Sequence, residues 1–262
     1  MLLISLRRYG RIGYLYRIIA TGVCFVTFGI LGILIWSTGF PVISLLVKKT
    51  KRRYYAHLVA HYCFRFFIGW MRFLGVLSYE VIGASRLNQP GCLVVANHPS
   101  LIDIVFLISR VRNAVCIARK ELLGNPFMSS AIKHSGYVVN NGSEQLISDC
   151  VSVLDQEMSL IIFPQGTRTP LSCRFKFQRG AARIALQARA GVIPVFIECK
   201  PPHLMKGQRW YNVPATRPHY RIIVGDIIDP EQHVDTSTPS LASRQLTRYL
   251  ETYFVKQYLS AK

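Results

Sequence analysis

From residue 18 to residue 47 the chain runs for thirty residues without a charge. About 20 apolar residues cross a hydrocarbon core as a helix, so any fold this chain adopts must carry a membrane-length apolar segment. The stretch exceeds the roughly 7 to 15 apolar residues of a cleavable signal, and no small-residue cleavage site precedes the basic cluster behind it; it is expected to stay attached. Arg7, Arg8, Arg11 and Arg17 precede the run, and Lys48, Lys49, Lys51, Arg52 and Arg53 follow it. Positive flanks on both sides do not choose an orientation. Gly39 and Pro41 interrupt the run, which favours a segment that dips into the bilayer and returns, with both clusters on the cytoplasmic leaflet.

Residues 54–77 mix His57, His61, Arg65 and Arg72 with Tyr55, Leu58, Val59, Tyr62, Phe66, Phe67, Trp70 and Phe73, a basic and aromatic pattern at helical spacing that reads as an interfacial helix. His57 and His61 lie four apart, but the segment has no acidic residue to complete a metal site, and no metal is expected. The charge follows the same division. The chain holds 32 Lys and Arg against 13 Asp and Glu, a formal +19, at a mean hydropathy of +0.25. Eleven of the basic residues and none of the acidic ones fall in residues 1–79, the most apolar part. Basic residues beside an apolar segment point to anionic lipid headgroups rather than nucleic acid as the partner. Seven cysteines, at 24, 63, 92, 116, 150, 173 and 199, show no CxxC spacing and sit mostly in apolar runs, which fits reduced, buried thiols in a cytosol-facing domain.

Beyond the anchor, short β-branched runs alternate with helical patterns. Strands are expected at 79–82, 92–97, 114–118, 136–139, 160–163, 192–198 and 220–224. Helices are expected at 104–108, at 143–158 with Ser143 as cap, from about 178 to a stop at Gly191, and at 239–258. This order implies an α/β fold: a mixed, mostly parallel sheet flanked by helices, in a catalytic domain over 79–262 behind membrane-associated helices over 1–78.

Two segments carry chemistry. The first, Asn97-His98-Pro99-Ser100-Leu101-Ile102-Asp103, follows a strand and opens a helix for which Pro99 suits the first position. His98 and Asp103 can face one pocket there, His98 as a general base oriented by Asp103, or His98 as a capping residue only. The second, Phe163-Pro164-Gln165-Gly166-Thr167-Arg168-Thr169, also follows a strand. Its glycine lets backbone N–H groups approach a ligand, and its guanidinium can hold an anion in two hydrogen bonds.

Together, NHPSLID and FPQGTRT resemble the NHxxxxD and FPEGTR blocks of the 1-acyl-glycerol-3-phosphate (lysophosphatidic acid) acyltransferase family, within the glycerolipid acyltransferases, and stand at a spacing typical of it. Ala118-Arg119-Lys120-Glu121-Leu122, the helix entry at 177–182 and Val192-Ile193-Pro194-Val195 resemble further family segments, so the likeness runs from about residue 79 to 225. It implies a glycerol-3-phosphate acyltransferase-like fold and a membrane-bound enzyme, at the cytoplasmic face, that moves a fatty acyl group from acyl-CoA or acyl carrier protein to a lysophospholipid, with no cofactor beyond that co-substrate. In that scheme His98 deprotonates the acceptor hydroxyl and Asp103 orients it. Amides around Gly166 face the oxyanion, Arg168 grips the acceptor phosphate, Thr167 shapes the loop, and Lys120 is a further anion ligand. Two departures bear on the acceptor. Gln165 replaces the family's glutamate, and the second block, here residues 136–142, lacks the family's basic residue. Alternatives are a different lipid acceptor, hydrolysis with water as acceptor, and a catalytically silent lipid-binding relative.

Overall fold

The computed structural model describes residues 2–124, 126–140, 142, 145–172, 174–235 and 238–260, with backbone alone for residues 2–12, 126–128 and 130. The expected cap Ser143 lies outside the described residues, as does Cys173. The chain enters on helix α1 (Leu2–Leu34), passes through a π-helical turn (Ile35–Gly39) and continues as α2 (Phe40–Leu46), after which α3 (Arg52–Phe73) runs back along both. The antiparallel course is fixed by contacts at three levels. Tyr16 donates its hydroxyl to the Leu74 carbonyl at 3.0 Å, Phe28 packs on Phe64 and Phe67, and Phe40 and Ile43 pack on Ala56.

The reversal expected at Gly39 and Pro41 therefore lies instead in residues 47–51, at the basic cluster. Pro41 lacks an N–H, and in a regular helix its ring would strike the carbonyl four residues back. Here the Phe40 N–H bonds the Ile35 carbonyl five residues back, and this wider turn lets Pro41 begin the next helical segment without ending the rod. Residues 13–46 are long and apolar enough to cross a membrane by length and composition. Leu15, Ile19, Val23, Val26, Ile30 and Ile33 form one exposed stripe along α1.

The expected interfacial helix is α3, and it has two faces. Tyr55, Tyr62, Phe66 and Phe73 are exposed, whereas His57 and His61 point inward. His57 meets Asn113 Oδ1 at 2.6 Å and the Ser135 carbonyl at 2.7 Å, and His61 meets the Ile108 carbonyl at 2.9 Å. Both are struts between α3 and the unit behind it, and burial pushes both imidazoles below their usual value.

That unit is built on a sheet of β1 (Ser78–Ile82), β2 (Leu93–Ala96), β3 (Ala114–Arg119), β4 (Val138–Asn140), β5 (Ser159–Ile162), β6 (Val192–Lys200) and β7 (His219–Val224), in the order β1-β7-β6-β2-β5-β3-β4. Neighbours run parallel except β6 and β7. The central strands are apolar on both faces because both are covered. Val94 and Ala96 join the core under α3 and α4 (Asp103–Ile108), while Leu93 and Val95 join the core under α6 (Gln145–Asp155), α7 (Gly180–Ala188) and α8 (Pro239–Ser260). The α7 helix stops at Arg189, which takes a left-handed φ of 48°, ahead of the Gly191 stop read from the sequence.

Candidate active site

β2 and β5 are neighbours, with Val95 opposite Ile162. The two chemistry-bearing segments therefore leave the sheet side by side at its carboxyl edge, where open α/β sheets bind ligands. Asn97, the first residue past β2, is buried. Its amide accepts the Ile197 N–H at 2.6 Å and donates to the Ile197 carbonyl at 2.8 Å, locking the end of β2 onto β6 and delivering His98 to the edge.

Asp103 Oδ2 accepts the Ser100 N–H at 2.6 Å, and Oδ1 accepts the Ser100 hydroxyl. These bonds tie the turn at 100–102 to the first residue of α4, which starts without a side-chain cap. Pro99, expected as the first helical residue, consequently lies ahead of the helix. The same Oδ2 meets His98 Nδ1 at 2.8 Å. One carboxylate thus holds the turn ahead of the helix and orients the imidazole. Burial pushes the Asp103 carboxyl above its ordinary range, and the donors on His98 and Ser100 pull it back. With Nδ1 facing a carboxylate, the proton sits on Nδ1 and the lone pair on Nε2. The Asp103 side chain has no exposure, whereas the His98 side chain keeps 19%. The dyad is dry behind and open in front.

The second segment clamps the first. Phe163 stacks on the His98 ring at 4.1 Å and 20°. The His98 N–H donates to Gln165 Oε1 at 3.0 Å, and the His98 carbonyl accepts the Thr169 N–H at 2.9 Å. Gly166 has φ +70°, a left-handed conformation that glycine adopts without steric cost. Its N–H donates to the Phe163 carbonyl at 3.0 Å, so this amide closes the turn and does not face the pocket as expected from the sequence. The Thr167 carbonyl accepts the Thr169 hydroxyl at 3.2 Å, which holds the bend.

One arginine stands beside the loop and another within it. Arg119, at the end of β3, donates Nη2 to the Gly166 carbonyl at 2.6 Å. Its neighbour Lys120 opens an exposed turn (Lys120–Gly124), and among the described residues it is Arg119 rather than Lys120 that bonds the loop. Arg168 donates Nη1 to the Leu204 carbonyl at 3.4 Å, and the Leu101 N–H reaches that carbonyl at 3.0 Å. Leu204 sits at φ +54°, a left-handed conformation that costs a branched residue energy and is held by these bonds. The structure thus gathers His98, Asp103, Gln165, Gly166, Thr167 and Arg168 at one edge and leaves Lys120 aside. Sequence reasoning missed Ser100, Phe163, Arg119 and Leu204. Of these only Ser100 carried a readable signal, a hydroxyl three residues ahead of Asp103.

A histidine with an open Nε2, a buried carboxylate behind it and two guanidinium groups beside it can take a proton from a hydroxyl on an anionic molecule. Comparison with known proteins agrees with that chemistry. A sequence model of the family described as Acyltransferase matches residues 78–198. The chain is 29% identical over 187 residues to a 1-acyl-sn-glycerol-3-phosphate acyltransferase of Helicobacter pylori, covering 68% of this chain and 75% of that one. It is 25% identical over 212 residues to the protein of that name from Pseudomonas aeruginosa, covering 78% and 77%. The crystal structure of the 1-acyl-sn-glycerophosphate (LPA) acyltransferase PlsC from Thermotoga maritima shares the fold, with a TM-score of 0.74 over 96% of this chain and 97% of that one at 20% identity. With both motif blocks assembled on that fold, residues 78–198 match the Acyltransferase family model, and the chain is similar to the 1-acyl-sn-glycerol-3-phosphate acyltransferases.

Proposed function

We propose that this protein transfers a fatty acyl group from a thioester, on coenzyme A or acyl carrier protein, to the free hydroxyl of a 1-acyl-glycerol-3-phosphate at a membrane surface. The observation that carries this reading is the His98–Asp103 pair at 2.8 Å, clamped against a loop that holds Arg168 and is bonded by Arg119. His98 Nε2 takes the hydroxyl proton as the oxygen attacks the thioester carbonyl. The new C–O bond forms, the C–S bond breaks, and the proton returns from His98 to the departing thiolate. The stacked Phe163 and the buried Asp103 hold the ring for both transfers.

The acceptor phosphate is assigned to Arg168 and Arg119. The family's second-block cation is absent from 136–142, but Arg119 stands directly opposite Asn140 across the β3–β4 pair. A guanidinium is therefore present at the same level of the sheet, one strand over. Arg168→Gln and Arg119→Gln are each expected to raise KM for the phosphate acceptor by roughly 10- to 100-fold with a smaller change in kcat, the range of a charge-assisted hydrogen bond. The deciding assay supplies radiolabelled acyl-CoA and acyl carrier protein with 1-acyl-glycerol-3-phosphate or a neutral lysolipid. Diacylated phosphate product supports the reading. Release of free fatty acid alone, or equal kcat/KM on the neutral lysolipid, overturns it.

Gln165 gives the dyad one carboxylate where the family pattern has two. Its Oε1 already accepts the His98 backbone N–H, a bond that Gln165→Glu keeps.

For location, α3 packs its inner face along the catalytic unit from His57 to Met71 while α1 and α2 cover it from outside. A helix bound lengthwise to the domain cannot stand upright in a bilayer without drawing the domain in. The exposed apolar stripe of α1 therefore lies in the membrane plane, with the basic cluster at 48–53 at the headgroups.

A further inference from the structure

The segment between β6 and β7, residues 201–218, is the longest irregular stretch of the catalytic unit, and it touches two places at once. At its start Leu204 holds Leu101 and Arg168 through its carbonyl, and Met205 bridges Ser100, so residues 204–205 wall the active site. Farther on it crosses α1. Arg17 donates to the Ala215 carbonyl, Trp210 lies over Gly22, and the Trp210 ring packs on Phe25 at 6.0 Å. Between these contacts residues 206–212 are all exposed, and they read Lys-Gly-Gln-Arg-Trp-Tyr-Asn. Trp210 is 44% and Tyr211 41% exposed, beside Lys206 and Arg209, with Arg209 over the Tyr211 ring at 5.8 Å. No acidic residue occurs from 199 to 225.

We infer that residues 206–212 are a second membrane-docking element, seated on an anionic bilayer surface beside α1 and tying the active-site wall to that surface. The inference rests on the in-plane placement of α1 proposed above. Tryptophan and tyrosine place an apolar ring at the headgroup level while their polar atoms stay wet, and the neighbouring lysine and arginine meet anionic headgroups. The apolar surface reaches the edge of the α1 stripe, because Trp210 lies over Gly22 and packs on the exposed Phe25 beside it. The same strand of chain then runs back to Leu204, so an acceptor leaving the bilayer here meets Arg168 within a few residues of the docked tip.

The test uses the full chain with Trp36→Phe and Trp70→Phe, which leaves Trp210 as the one tryptophan. Trp70→Phe is a mild change because the buried Trp70 Nε1 has no hydrogen-bond partner among the described residues. With vesicles of phosphatidylglycerol and brominated phosphatidylcholine, Trp210 emission is expected to shift blue and to be quenched by bromines near the headgroup end of the acyl chains. Flotation with the vesicles while Trp210 keeps a water-like spectrum overturns the inference and leaves the placement of α1 standing; failure to float overturns both. The triple variant Lys206→Gln, Arg209→Gln, Trp210→Ser is expected to lose roughly tenfold in transfer to an acceptor presented in anionic vesicles. Its rate on a short-chain acceptor dissolved as monomers should stay unchanged. An equal loss on both acceptors marks a structural role and overturns the docking assignment.

Discussion

His98→Ala is expected to slow acyl transfer by roughly 10²- to 10⁴-fold at pH 7.5, the span that a positioned general base contributes. Membrane flotation should be unchanged, because the contacts that place α1 and α3 do not include His98. Asp103→Asn is expected to fall in the same range for a different reason. An asparagine can present its NH2 to His98 Nδ1, which flips the tautomer and points the N–H, not the lone pair, at the acceptor hydroxyl. It also weakens the turn ahead of α4, since Oδ1 and Oδ2 both accept from Ser100. A melting curve separates the two effects: a lost hydrogen bond costs about 1 kcal/mol, far too little to explain a thousandfold loss of rate. Because His98 and Asp103 act as one unit, the double variant should lose little more than either single one. A variant without His98 that retains more than a tenth of the rate removes His98 as the base.

The two motif segments were legible because each directly follows a short β-branched run, and the strand-to-turn geometry after such a run exposes the next residues. What joined them, the parallel pairing of β2 with β5 across 67 residues between His98 and Gln165, is a non-local contact that no local pattern encodes. The same limit explains Arg119 and Lys120. Two adjacent basic residues at a strand end look alike in sequence, and only the place of β3 between β5 and β4 sends Arg119 to the loop. Gly39 and Pro41 misled for a third reason. They are strong local breakers, but a π turn relieved the proline, and packing of Phe40 and Ile43 on α3 kept the rod helical. Pro99 lies ahead of the helix because the Ser100–Asp103 bonds hold residues 100–102 as a turn, against the weak preference of proline for a first helical position.

Acid should destabilise this protein through His203. The residue is 1% exposed, neither ring nitrogen has a hydrogen-bond partner among the described residues, and burial pushes its imidazole down to about 4. An unfolded histidine titrates near 6.5. A base whose value is depressed on folding is held neutral, so its share of stability is complete above about pH 6.5 and is lost as pH falls toward 4, where the unfolded chain alone binds the proton. That loss is about 2 kcal/mol at pH 5, which lowers Tm by roughly 4 to 8 °C for a domain of this size. His57 and His61, also depressed by burial, act in the same direction. His203→Leu removes the titrating ring while keeping the backbone carbonyl that accepts the Tyr220 hydroxyl at 3.3 Å. Melting curves of the two proteins from pH 7.5 to 4.5 should therefore diverge, with the variant at least as stable at neutral pH, since an unpartnered polar group has been taken out of the interior. It should also lose clearly less Tm on acidification. Parallel pH curves would place the acid sensitivity elsewhere. If they diverge, the acid-sensitive point of the fold is the residue next to Leu204, and warming at pH 5 should then lower acyl transfer before the secondary structure melts, because Leu204 holds Arg168 and Leu101 in place.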